Sequence, residues 1–204
     1  MNNNYKILYD DNNKLIYEGY LLNDKYYGYG KLYDNNKLVY EGYLLNNKYH
    51  GYGKLYENGN LKYEGEFKNN NSYGIGKLYY ENGNLNYEGE FINNEFNGNG
   101  KYYDINTNLQ YNGELKNNKR HGYGTVYYNY KIVYKGYFYN DKYNGCGMYY
   151  DINGKLKYKG EFYNNYFIYN KNRSFNIFSY FNTKKKYNIK YEHLLTYYDE
   201  FNLF

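Results

Sequence analysis

Two patterns in this chain invite a chemical reading first. The Gly-x-Gly pairs, Gly28-Tyr29-Gly30 and its repeats, look like the start of a phosphate-cradling loop. Such a loop needs a third glycine at fixed spacing and a helix opening directly after it. Neither follows here, and the pair recurs along the chain every 23 or 24 residues. Histidines would supply metal ligation or proton transfer. His50 and His121 occupy one equivalent place, each just before a glycine, and His193 is distant, so the three do not cluster. A loop residue is the simpler reading of the first two. Glu64 and Glu66 suggest acid–base work, but such carboxylates recur beside lysines, where charge pairing across strands accounts for them. Cys146 lies between Gly145 and Gly147, where other units carry Tyr, Ile or Asn. No nucleophile stands with an orienting base. The sequence therefore assigns no catalytic residue, no cofactor, no metal ligand and no small-molecule substrate, and the expectation is that the protein is not an enzyme.

The elements that carry these residues are repeated. A tyrosine precedes a glycine by two residues at Tyr17, Tyr40, Tyr63, Tyr87, Tyr111, Tyr134 and Tyr158, in steps of 23 or 24 residues. A fixed period of this size marks an array whose units pack mainly on their neighbours. The chain of 204 residues holds 40 Tyr, 22 Gly and no Pro or Trp, which favours strands over helices. The asparagines fall at regular turn positions, which favours a folded array over a disordered tract. Of the net charge of +5, residues 167–204 hold +3, so the repeats are close to neutral and make no case for nucleic acid. One cysteine excludes an internal disulfide and fits a reducing compartment. The start lacks the apolar run of a signal peptide, and no apolar stretch is long enough to span a membrane. A soluble, intracellular, cytoplasmic protein is the expectation.

Within one unit, Gly51 to Phe67, Asn58-Gly59 signals a hairpin. A two-residue loop would oppose Leu55 with Lys62. A three-residue loop, Glu57 to Gly59, opposes Leu55 with Leu61, Gly53 with Tyr63 and Gly51 with Gly65, and it segregates apolar from polar faces. The second register is the one expected, with the ring of Tyr63 lying across Gly53. By the same rule, Leu8 meets Leu15, Leu32 meets Leu38, and Val126 meets Ile132. The 24-residue units then take four-residue loops, such as Tyr80 to Gly83, with Gly76 opposite Tyr87. At the Tyr128-Asn129-Tyr130 tip, Tyr130 must occupy a glycine-like conformation.

These residues resemble the MORN repeat. Tyr63-Glu64-Gly65-Glu66-Phe67 followed by Gly74-Ile75-Gly76 carries the pattern, as does Tyr111-Asn112-Gly113-Glu114-Leu115 followed by Gly122-Tyr123-Gly124. About seven units cover residues 5–166. The resemblance implies an all-β fold, an elongated single antiparallel sheet of tandem hairpins, with about 14 strands over roughly 65 Å. It also implies a scaffold that binds a protein partner at cytoskeletal or membrane-associated structures, with peripheral phospholipid binding as the alternative and service to an enzyme on another chain as a third reading. Residues 167–204 break the period. Their spacing predicts a helix over about 189–202, read as a cap on the last hairpin. Lys184, Lys185 and Lys186 offer a weak contact to anionic lipid. Two surfaces remain open for a partner. One is the Tyr-Gly-aromatic face. The other is the opposite face, with Tyr29, Tyr33, Tyr52, Tyr56, Tyr79, Tyr123 and Tyr127.

Overall fold

The structure, a computed structural model, describes residues 4–168. The expected helix over 189–202 and the lysines at 184–186 lie outside the described residues. The described residues form one sheet of fifteen antiparallel strands, in which each strand pairs only with its neighbours in sequence. The strands are β1 (Asn4–Tyr9), β2 (Leu15–Leu22), β3 (Lys25–Asp34), β4 (Lys37–Leu45), β5 (Lys48–Glu57), β6 (Asn60–Lys68), β7 (Asn71–Tyr79), β8 (Leu85–Ile92), β9 (Glu95–Tyr103), β10 (Leu109–Lys116), β11 (Lys119–Tyr128), β12 (Lys131–Tyr139), β13 (Lys142–Tyr150), β14 (Leu156–Tyr163) and β15 (Tyr166–Phe167). The all-β class, the single sheet and the tandem hairpins are as the sequence predicts.

The register differs from the expected one. Gly53 faces Gly65, not Tyr63, and Gly51 faces Phe67, not Gly65. Leu55 faces Tyr63, while Leu61 faces Tyr56. The loop is the two-residue Asn58-Gly59 turn, closed by Glu57 opposite Asn60. The expectation failed because it assumed uninterrupted pairing. Lys62 is left over as a β-bulge, and that extra residue restores the alternation which a two-residue loop would otherwise spoil. Every odd-to-even hairpin carries the same bulge. Leu8 faces Tyr17 rather than Leu15, Leu32 faces Tyr40, Leu78 faces Tyr87, and Val126 faces Tyr134. The wider loops are also one residue shorter than expected. The Tyr80 N–H donates to the Asn84 carbonyl at 2.9 Å, leaving 81–83 at the tip. Tyr130 does take the left-handed conformation, at φ 63°, and is 81% exposed.

Correct pairing produces a seam. Thirteen glycines, from Gly19 on β2 to Gly160 on β14, face one another in consecutive strands across the sheet. Lys6 on β1 opens the row opposite Gly19. The tyrosine two residues before a seam glycine lies over that glycine and over the one on the next strand. Tyr63 covers Gly65 and Gly76, while Gly53 is covered by Tyr40. The ring expected over Gly53 therefore comes from the preceding unit. A Cβ at Gly65 would sit 2.5 Å from the Gly76 Cα, and one at Gly76 would collide with the Tyr63 hydroxyl.

A second repeated device ties the turns together. Each even-to-odd turn is a two-residue turn with both residues at positive φ, as in Asn46 (50°) and Asn47 (64°). Asparagine tolerates that conformation, as two-residue hairpin turns require. Its side chain does further work. Asn47 donates its N–H to the Tyr26 carbonyl and accepts the Tyr26 N–H on Oδ1 at 2.7 Å. The reciprocal pair recurs for Asn70 with Tyr49, Asn94 with Ser72, Asn118 with Phe96, Asp141 with Arg120 and Asn165 with Tyr143.

Two outcomes follow. Asn94→Ala removes the acceptor for Ser72 and should lower unfolding free energy by about 1–3 kcal/mol, whereas Asn94→Asp, which keeps Oδ1, should cost less than half as much. Chemical denaturation of both variants checks this. Gly76→Ala should destabilise by about 1–3 kcal/mol through overpacking. In a double-mutant cycle with Tyr63→Leu, the pair should be less damaging than the sum of the singles, because the smaller side chain leaves room for the methyl.

Candidate interaction surface

The two faces of the sheet have different chemistry. On the ring face, Tyr17, Tyr40, Tyr87 and Tyr134 are fully buried, with Phe67, Phe91, Leu115, Phe138 and Phe162 packed among them. Each seam tyrosine donates its hydroxyl to the carbonyl three residues on, for example Tyr40 to Tyr43 at 2.8 Å and Tyr111 to Glu114 at 2.8 Å. The next strand adds a stacked ring: Tyr49 lies 3.8 Å from Tyr40, and Tyr143 lies 3.7 Å from Tyr134. Ser72 and Arg120 stand where the other units place that ring. Arg120 instead sits 5.3 Å over Phe138 and pairs with Asp141 at 3.2 Å. The Tyr-Gly-aromatic face, one of the two expected partner surfaces, is thus largely consumed as the hydrophobic core.

The opposite face is charged and wet. Glu41, Glu64 and Glu88 of Tyr-Glu-Gly face lysines on both flanking strands. Lys54 lies between Glu41 and Glu64, and Lys77 lies between Glu64 and Glu88. The Lys101 ammonium reaches Glu88 at 2.9 Å. Tyrosines on the odd strands donate to the same carboxylates, Tyr79 to Glu64 at 2.6 Å and Tyr103 to Glu88 at 2.9 Å. The bond from Lys101, with that from Tyr103, holds the Glu88 carboxyl below its ordinary value, and the bond from Tyr5 does the same for Glu18. A parallel row covers the first glycine of each Gly-x-Gly. Tyr20, Tyr43 and Tyr137 lie over Gly28, Gly51 and Gly145, while Glu66, Glu90 and Glu114 lie over Gly74, Gly98 and Gly122.

Among the tyrosines expected on this face, Tyr29, Tyr52 and Tyr123 are exposed, whereas Tyr33, Tyr56, Tyr79 and Tyr127 are half-buried. The structure adds Tyr43 and Tyr137, which meet expected ones in cross-strand pairs, and Tyr5 and Tyr20, which pair with each other. Ring centroids of Tyr29 and Tyr43 are 5.9 Å apart, and those of Tyr123 and Tyr137 are 5.3 Å apart, both edge-on. Correct strand register was the missing signal for them. His50 and His121 stay far apart in the array, half-buried, and Cys146 is exposed on its own. Among the described residues no group of His, Cys, Asp and Glu is placed to hold a metal ion, and no helix is long and apolar enough to cross a membrane. A depression of about 110 Å³ lies between the loop tips at Asn58 and Glu81, lined by polar residues and Tyr79, Tyr80 and Leu61.

The MORN repeat family model matches residues 40–61, 63–85, 87–108, 111–129 and 134–155. Each match begins at a seam tyrosine or its equivalent, from Tyr40 to Tyr134, and together they cover more than half of the chain. The chain belongs to the MORN-repeat family. No curated protein matches it. The MORN units at Tyr17 and Tyr158 flank the matched segments and repeat the same glycine pairing. MORN repeats are commonly scaffold modules that bind proteins or membranes.

The buried phenols of this MORN array should make it sensitive to alkali. Burial pushes the Tyr17 hydroxyl up to about 12 and raises Tyr40, Tyr63, Tyr87 and Tyr134 further. An unfolded phenol ionises near pH 10. Above that pH the unfolded chain holds fewer protons than the folded one, so stability falls as pH rises. Phenolate absorbance should therefore show the seam tyrosines ionising only together with loss of the far-ultraviolet strand signal.

Proposed function

We propose that the protein is a non-enzymatic scaffold that holds a protein partner on the charged face of its sheet. The observation that carries this reading is the division of labour between the faces. The ring face is used up in holding the array together, while the other face leaves rows of exposed tyrosines in edge-on pairs. Tyrosine suits a recognition surface because it offers large contact area at low entropic cost and a polar tip. The rigidity of a hydrogen-bonded sheet keeps that surface ready-made, which lowers the ordering cost of binding. The depression between the Asn58 and Glu81 tips is well below the ~300 Å³ at which small-molecule sites begin. A place in the cytoplasm, at the cytoskeleton or at a membrane surface, belongs to the same reading.

Proximity labelling with the full-length chain tests it. A reproducible set of neighbours that is lost in Tyr29→Ser/Tyr43→Ser/Tyr52→Ser is expected. A labelling pattern no different from a freely diffusing control would defeat the proposal. Flotation with phosphatidylserine vesicles addresses the alternative, lipid contact through Lys184, Lys185 and Lys186. That alternative requires flotation that disappears when the three are replaced by Ala.

A further inference from the structure

The exposed tyrosine pairs of the charged face have a chemistry of their own, apart from the contact area they offer. Tyr5 stands directly opposite Tyr20, Tyr29 opposite Tyr43, and Tyr123 opposite Tyr137. Their ring centroids lie 5.4, 5.9 and 5.3 Å apart. Each of these residues is between 40% and 55% exposed. The pairs arise from the choice of residue at one position. Tyr20, Tyr43 and Tyr137 directly follow a seam glycine. In the other units Glu66, Glu90, Glu114 and Glu161 take that place, and they face Tyr52, Ile75, Asn99 and Cys146 instead.

Two of the pairs also hold a proton acceptor. Tyr5 donates its hydroxyl to Glu18 at 2.7 Å, and Tyr29 donates to Glu41. Those bonds push both phenols up to about 12. At neutral pH each is a neutral phenol, so loss of an electron must shed the proton as well. A carboxylate already bonded to the hydroxyl takes that proton as the electron leaves. Among the described residues the Tyr123 hydroxyl makes no such bond, because Lys135 stands where Glu41 stands for Tyr29. The closer stacked pairs are poorly suited to oxidation. Tyr17, Tyr40 and Tyr134 have a second tyrosine ring at 3.7–3.9 Å but are fully buried, out of reach of an oxidant in solution and held from turning by their neighbours.

We propose that the facing pairs Tyr5–Tyr20 and Tyr29–Tyr43 are sites of oxidative crosslinking, in which hydrogen peroxide, acting through a haem peroxidase, joins the two phenols as dityrosine. Each phenol gives up one electron and its hydroxyl proton. The two phenoxyl radicals couple through their ortho carbons, and the hydrogens on those carbons return to the oxygens. The two electrons and two protons reduce the peroxide to two molecules of water. Both rings of a pair are exposed and free to turn until the ortho carbons meet. Fixing them on opposed residues replaces a bimolecular encounter by an intramolecular one. Each bond straps one hairpin on the face opposite the ring core. Tyr123–Tyr137 couples by the same route, more slowly, because no carboxylate takes the proton.

The test treats the dilute full-length chain with a haem peroxidase and limiting hydrogen peroxide. Dityrosine fluorescence follows the total, and peptide mass spectrometry locates each link by its loss of a hydrogen molecule. Links at Tyr29–Tyr43 and Tyr5–Tyr20 should appear before Tyr123–Tyr137, in chains that still run as monomers on denaturing gels. Tyr43→Phe keeps a ring in place and should lose the Tyr29–Tyr43 link alone. Glu41→Gln keeps an acceptor for the hydroxyl without the base, and should reduce that link to the yield of Tyr123–Tyr137. Circular dichroism checks that both variants fold. Links formed chiefly between molecules overturn the inference, as do links at Tyr130, which is 81% exposed but faces no ring, ahead of the facing pairs. So does an undiminished Tyr29–Tyr43 link in Glu41→Gln. No protein partner takes part, so these results stand apart from the scaffold reading.

Discussion

Everything in this sheet depends on tyrosine lying flat on bare backbone. Among the described residues no second layer covers the apolar face of the sheet, so the sheet makes its own cover. The glycine seam solves that problem. Removing side chains from one row lets each ring fold down over two adjacent strands, which turns a surface residue into a fully buried one. Aromatic cover also offsets the weakness that glycine brings to a strand. The hydroxyl, which would be costly to bury alone, finds a carbonyl three residues ahead, so the ring is anchored as well as packed. The edge-on and stacked neighbours then propagate from unit to unit as one continuous aromatic row.

Much of this was legible in the residues, and the part that was not has a specific cause. The period, the hairpins, the two faces and the use of a tyrosine ring to cover a strand glycine follow from Tyr-x-Gly and Gly-x-Gly, but which ring covers which glycine does not. The strand register did not, because alternation alone cannot reveal an extra residue such as Lys62 or Asn86 that a bulge absorbs. A bulge and a longer loop shift the pairing equally, and only backbone geometry separates them. The asparagines were read as turn formers, which they are. Their second role, holding a strand 21 or 22 residues earlier, requires knowing which turn lies beside which strand. The exposed tyrosine pairs stayed hidden for the same reason, since Tyr43 meets Tyr29 only in the observed register.

The two faces also divide sequence constraint between them. On the ring face, a substitution must respect volumes fixed by neighbours on both sides. On the charged face, Glu, Asn and Lys are all accommodated at one structural position, as Glu88, Asn112 and Lys135 demonstrate. The fold therefore tolerates a change of surface from unit to unit without a change of backbone. An array built this way is uniform as an architecture and non-uniform as an electrostatic object, with the ladder of paired charges ending after Lys101.

The two unit-to-unit couplings point in opposite directions along the chain. Every seam ring reaches forward to shield the following strand, while every turn asparagine reaches back to fasten an earlier one. Neighbouring units thus hold each other like clasped hands, and no interior copy can loosen without undressing something on each side. Loosening one unit should accordingly bare main chain ahead of it, where a ring lifts away, and release a strand behind it, where a turn lets go.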